Sequence, residues 1–280
     1  MIIFGKPNIC KSSSPEFWLF SILWVLMLLL PASCSVETGN LKQKKLPANP
    51  ADYHNVFTEP AFRQMFSADH KFAQDFIKEN LREFLIMADH DTLKTRMLLA
   101  VVYPELLRYS YFRDFFETKA LKLAYVARGI DFADFSIGYF QIKPSFVERL
   151  EEELGADEQL PVAFDSIFIP DSFSGREKRK LRIERLCNKH WQWLYALAFY
   201  YMLEKNNPPE EFPSVHEAVA FYATAYNHNF AATKEEIIHW KDKKLFPYGV
   251  HYQNPFSYSE ISQSFYTRKS NQLFINHKNL

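Results

Sequence analysis

The chain has 280 residues, with 33 Lys and Arg against 33 Asp and Glu, 48% hydrophobic and 17% aromatic residues, seven Gly and three Cys. That length can bury one large core or two small ones. The balanced charge argues against nucleic acid as a partner, because phosphate neutralisation needs an excess of Lys and Arg. The phosphate-cradling patterns G-x-G-x-x-G and G-x-x-x-x-G-K-[ST] do not occur, and Cys10, Cys34 and Cys187 are too few for a disulfide framework.

Lys6 and Lys11 precede Phe17 to Leu30, fourteen residues in which only Ser21 is polar, and Pro31-Ala32-Ser33-Cys34-Ser35 follows. A basic start, an apolar middle and a small-residue end are the parts of a secretory signal peptide, here residues 1–33. The run is short for a membrane span, which needs about 20 apolar residues, although a retained signal anchor is an alternative. The segment before Cys34 resembles the lipobox of bacterial lipoproteins, which implies that Cys34 is lipidated and becomes the first mature residue; plain secretion after cleavage near Ser33 is the other reading. Residues 34–60, with Lys42, Lys44, Lys45 and prolines at 47, 50 and 60, read as anchor and tether. The remaining 61–280 form the domain.

The first predicted helix carries Phe72, Phe76, Ile77, Leu81, Phe84 and Leu85 at three-and-four spacing, with charged residues around the rest. The second starts at Asp91 or Thr92, carries Leu93, Met97, Leu98, Val101 and Val102, and is expected to stop or bend at Pro104. A third covers 112–128 and ends at Gly129. Residues 131–141 lack helical period and read as a loop or short hairpin; Pro144 then opens a helix to Leu154. An irregular stretch, 155–175, leads to one long helix expected over 176–205. Ser214-x-x-Glu217 and Thr233-x-x-Glu236 are capping-box patterns that start two further helices, and a short helix is expected around 259–268. The fold class is mainly α, with a short hairpin beside the candidate site.

Metal chemistry finds no support. His216-Glu217-Ala218-Val219-Ala220 lacks the second His of H-E-x-x-H, Cys187-x-x-His190 has no second ligand pair, and G-x-S-x-G is missing. No metal or cofactor is expected. Three segments carry more. Leu98 to Tyr103 leads through Pro104 into Glu105, a carboxyl that burial could keep protonated near neutral pH as a general acid. Gly138-Tyr139-Phe140-Gln141-Ile142-Lys143-Pro144 sets a polar Gln beside a Gly in an apolar string. Ala223-Thr224-Ala225-Tyr226-Asn227 ends a small-residue helix with two hydrogen-bonding side chains.

In this order the three segments resemble the lytic transglycosylases of bacterial cell-wall metabolism, whose fold is that of goose-type lysozyme. The family shows an acid ending an apolar helix, then Gly-Leu-Met-Gln with an apolar-x-Pro step, then Ala-x-x-Tyr-Asn. The resemblance spans roughly residues 90 to 230. It implies a lysozyme-like helical domain that cleaves the bond between N-acetylmuramic acid and N-acetylglucosamine with a 1,6-anhydro product. Glu105 would be acid and then base, Tyr226 would hydrogen-bond and orient it, Gln141 and Asn227 would shape saccharide subsites, and Gly138 would let the backbone approach the sugar. Tyr139, Trp191 and Trp193 could stack on sugar rings, and Asp131 or Asp134 could be the second carboxylate of a lysozyme-type hydrolase. Leu106 stands where the family has Ser after the acid, a role Ser110 could take over, and His228 stands where it has Gly. The lost Ser motivates the alternative of a catalytically inactive lipoprotein that binds glycan or scaffolds an envelope assembly. The expected partners are peptidoglycan strands and, through the lipid, the membrane, at the periplasmic side of a bacterial envelope.

Overall fold

The computed structural model describes residues 66–111, 115–246, 256–270 and 274, all within the unit Asn55–Leu280. The leader, Cys34 and the tether fall outside them. The described residues are mostly helical. Helix α1 (Ser67–Met87) buries Ala73, Phe76, Ile77, Leu81 and Phe84, the face its periodicity marks out. It packs on α2 (Thr92–Tyr111), which also lies against α7 (Val215–Asn227) and α9 (Tyr258–Phe265). Residues Met97 to Val102 of α2 are fully buried all round, which makes α2 the central helix of the core.

The expected stop at Pro104 is not observed: proline sits inside α2, which runs on to Tyr111. An interior proline forfeits a backbone hydrogen bond and crowds the preceding turn, at a cost of about 3 kcal/mol. Here Tyr103, Leu106 and Leu107 are buried on either side of Pro104 and Glu105, so packing outweighs that cost. The Tyr258 hydroxyl, reaching in from α9, donates to the Val101 carbonyl at 3.0 Å, one turn before Pro104. Glu105 therefore stands in the middle of a buried helix instead of at its end.

Helix α3 is described over Phe115–Arg128, and Gly129 follows at φ +90°. Helix α4 (Pro144–Gly155) has its proline in the first turn as expected. Within the irregular stretch a single 3₁₀ segment, Val162–Ile167, forms. The long helix expected over 176–205 is instead two, α5 (Gly175–Leu186) and α6 (Lys189–Asn206). Asn188 ends the run because its side chain accepts from the His190 and Trp191 N–H groups and so starts α6 itself. At the front of α5, Ser174 and Glu177 form a reciprocal capping box. Arg182 on α5 joins Glu148 (3.1 Å) and Glu151 (2.7 Å) of α4, and Tyr125 of α3 donates to the same Glu148, so one polar network clamps three helices.

Ser214 and Thr233 accept from the Glu217 and Glu236 N–H groups and start α7 and α8 (Lys234–Trp240) as their patterns predict. Two short strands, β1 (Lys244–Phe246) and β2 (Phe256–Ser257), pair antiparallel. Ser257 and Glu260 then cap α9, which passes into a π-helical turn, Tyr266–Ser270. Among the described residues no helix is long and apolar enough to cross a membrane.

Candidate functional site

The segment between α3 and α4 closes a tight turn. Ile137 and Ile142 exchange both backbone hydrogen bonds, at 3.0 and 3.1 Å, which is the short hairpin in minimal form. Inside it Gly138 has φ +73° and Gln141 φ +52°. Gln141 is not a glycine, so its left-handed backbone is strained and persists only where surrounding contacts enforce it. Those contacts converge on Phe140. The fully buried Gln192 of α6 accepts from the Phe140 N–H at 2.9 Å and donates to the Leu186 carbonyl at 2.8 Å. Tyr226 of α7 donates to the Phe140 carbonyl at 2.8 Å, and the Phe140 ring lies among Phe76, Phe84 and Trp193. With both polar groups of one peptide segment pinned and its ring buried, the next residue has little freedom, and the Gln141 amide donates back to the Gly138 carbonyl at 2.7 Å.

This geometry corrects two expectations. Gly138 does not line the cavity described below; a Cβ there would lie 1.9 Å from the Gln192 amide nitrogen. Its missing side chain makes room for Gln192, not for a sugar. Tyr226 does not hydrogen-bond Glu105 but holds the turn through Phe140. The Tyr226 phenol is nonetheless close enough to Glu105 to sense its charge, which, after burial, helps hold its pKa well above the usual value.

Glu105 is 5% exposed. Burial pushes its carboxyl pKa up, because a low-dielectric surrounding disfavours the charged form, while Arg108, Lys143 and Tyr258 pull the other way. Arg108 lies one turn along α2, with its guanidinium 3.4 Å from Glu105 Oε2. That oxygen accepts no hydrogen bond among the described residues. A buried carboxylate normally collects hydrogen bonds, so this oxygen is short of full satisfaction beside the cavity.

The cavity has a volume of about 650 Å³, inside the range of small-molecule sites. Glu105, Gln141, Tyr226 and Asn227 all line it, so four of the five residues singled out in the domain come together from α2, the turn and α7. Several other lining residues were not singled out in the sequence. Phe146 and Phe230 pack edge-on at 4.8 Å, and Trp240 stacks on His228 at 4.0 Å; these, with Leu245, form the apolar wall. Arg108, Lys143 and Arg149 add three cations, and among the described residues Glu105 is the sole Asp or Glu of the lining. Arg108 was the most findable of these, since it stands three positions after Glu105 on one helix face.

The aromatic residues considered as sugar platforms are elsewhere. Trp193 is buried, stacked on Phe84 at 4.2 Å, with its indole N–H on the Phe84 carbonyl. Tyr139 packs on Phe76 and Tyr109, and Trp191 lies under the Arg185 guanidinium. Neither acid considered as a second carboxylate lines the cavity: Asp131 is exposed, and Asp134 accepts from the Ser145 N–H and hydroxyl at the start of α4. The Ser110 side chain and Cys34 fall outside the described residues. His216 meets Thr267, Cys187 is an exposed thiol beside Lys122, and among the described residues no three His, Cys, Asp or Glu side chains gather as a metal site. Comparison with protein-family models, with curated proteins and with solved structures finds no match to this chain.

Proposed function

We propose that the chain is a peptidoglycan lytic transglycosylase of lysozyme-like fold, tethered to the envelope through Cys34, with Glu105 as its acid and base. The observation that carries this is the single buried, incompletely hydrogen-bonded carboxyl on the wall of a cavity that Gln141, Tyr226 and Asn227 also line. Burial favours the protonated form of Glu105, which the first step needs. Glu105 then gives its proton to the glycosidic oxygen as the bond to the muramic C1 breaks, and the substrate's acetamido group stabilises the oxocarbenium-like centre. The resulting carboxylate takes the proton of the muramic 6-hydroxyl as that oxygen bonds to C1. The ring closes to the 1,6-anhydro sugar, and Glu105 is protonated again.

One acid suffices for this sequence of steps. Hydrolysis by the usual route uses two carboxyl groups, about 5 Å apart in retaining enzymes and about 6.5–9.5 Å in inverting ones, and among the described residues the cavity is lined by one, Glu105. Digestion of purified peptidoglycan by the mature protein, followed by mass spectrometry of the released muropeptides, tests the proposal. Anhydromuropeptides that disappear in Glu105→Gln support it, and reducing-end products would turn it into a hydrolase. No release at all would favour the second reading, a glycan-binding protein without catalysis. The Arg108 guanidinium at 3.4 Å, which favours the ionised form of Glu105, and Leu106 in place of Ser are what speak for that reading.

A further inference from the structure

Trp240, the last residue of α8, reaches the cavity wall with its ring clamped. The His228 imidazole lies nearly parallel to it, at 4.0 Å between centroids and 16° between planes. The Lys243 ammonium stands 3.5 Å from the ring centre. Two groups that close to one ring would collide on the same side, so they cover opposite faces. His228 Nε2 is also 3.1 Å from Glu236 Oε1, which fixes the imidazole against α8. Stacking a sugar on an aromatic ring needs an open face, and Trp240 has none to offer. Its edge remains, with the indole N–H, a group that can donate but not accept. That N–H is not fully buried and makes no hydrogen bond among the described residues.

The surroundings of that edge suit an amide. Asn227 lines the cavity and, together with Trp240, a small pocket that adjoins it, so the two side chains are neighbours. The Asn227 side chain likewise makes no hydrogen bond among the described residues. Phe230 and Leu245 belong to the same wall. A fixed donor and a side-chain amide set in an apolar wall match a ligand group with one carbonyl, one N–H and an apolar flank. A hydroxyl fits less well, because part of its hydrogen-bonding capacity would face carbon.

We infer that Trp240 is a specificity residue whose indole N–H donates to an amide carbonyl of the glycan, while the Asn227 side-chain carbonyl accepts from the N–H of the same amide. His228 is then a positioning residue that, with Lys243, holds the indole edge-on. The inference rests on the cavity being a glycan site. It gives that site a preference beyond the acid: a ligand without the amide leaves the donor and acceptor unpaired, which costs affinity. Peptidoglycan has amide carbonyls from two sources, the acetamido groups of its sugars and its stem peptide.

Titration calorimetry with the full chain and three probes tests this: chitotriose, whose sugars carry acetamido groups; cellotriose, which has hydroxyls in their place; and N-acetylalanyl-isoglutamine amide, a stem-peptide fragment without sugar. Chitotriose or the peptide should bind about tenfold more tightly than cellotriose, as one net hydrogen bond allows, and the tighter probe identifies the source. The preference should fall to within about twofold in Trp240→Phe, which keeps a flat ring between His228 and Lys243 but removes the N–H. It should also fall in His228→Ala and recover in His228→Phe, which restores a stacked ring, with the circular dichroism of every variant that of the parent. A preference unchanged in Trp240→Phe, equal binding of all three probes, or failure of every probe to bind overturns the inference. So does an equal loss of chitotriose and cellotriose affinity in Trp240→Phe, the mark of a stacking face. Peptidoglycan digestion decides the transglycosylase reading separately: anhydromuropeptide release without a probe preference would leave that reading standing and remove this one.

Discussion

Two regions of the molecule, the turn at 137–142 and the stretch of α2 around Glu105, treat buried polar groups in opposite ways. In the turn, Gln192 and Tyr226 meet the N–H and the carbonyl of Phe140, and the strained backbone of Gln141 is held by that satisfaction. On α2, Glu105 is as well buried, yet its Oε2 accepts no hydrogen bond among the described residues and faces a guanidinium at 3.4 Å. On the proposed function, the difference separates what must be rigid from what must change state. A satisfied network fixes one geometry, whereas a carboxyl without its full set of partners can gain or lose a proton without dismantling the wall around it. Stability and activity should therefore respond to different residues.

Four outcomes test that separation, taken from the largest effect to the smallest. Glu105→Gln should lower the rate of anhydromuropeptide release about 10³-fold, within the span of general acid–base catalysis, while far-ultraviolet circular dichroism stays that of the parent. A variant that kept its activity would put the acid elsewhere. Gln192→Ala should do the converse and cost about 2–4 kcal/mol in urea unfolding, because it orphans the Phe140 N–H and the Leu186 carbonyl and leaves a buried void. Tyr226→Phe, which removes only the donor to the Phe140 carbonyl, should cost about 1–2 kcal/mol. If Tyr226 acted directly on Glu105 instead, the pH–rate profile of this variant would shift while its stability stayed put.

The smallest effect is the pH dependence of stability. The folded-state pKa of Glu105 lies above its unfolded value, mainly through burial, so the folded protein holds this proton where the unfolded chain has already released it. The contribution is present in acid and is lost as pH rises out of the ordinary glutamate range through the raised value. Melting temperatures measured across that interval should fall less steeply in Glu105→Gln than in the parent, and identical slopes would mean that the carboxyl is not held in its protonated form by burial.

Much of the fold is legible in the order of residues. The apolar spacing of α1, the proline opening α4 and the hydroxyls of Ser214 and Thr233 all act within a turn or two of chain, so their effects can be read locally. The gap at Asn188 was local too, a capping side chain within an otherwise helical run. Pro104 was not: its local preference is to end a helix, and buried neighbours from α1, α7 and α9 overrule it. That reversal moves Glu105 from a helix end, where water would reach it, to a buried interior position.

For the candidate site, the types and order of Glu105, Gln141, Tyr226 and Asn227 were set by the sequence, because motifs are strings of neighbours. What each does was decided by residues far along the chain. Gln192, 52 positions after Phe140, explains Gly138, and Phe140, 86 positions before Tyr226, takes the hydroxyl expected on Glu105. Trp240, Phe230 and Arg149 enter the cavity from helices and loops whose own sequences announce only a surface or a core. Spacing along the chain was enough for a mainly helical domain and for the order of the motif residues, since helical period and capping act locally. Which carbonyl Tyr226 holds, which cations lie beside Glu105 and how dry that carboxyl is follow from packing, since hydrogen bonding and desolvation depend on distance in space.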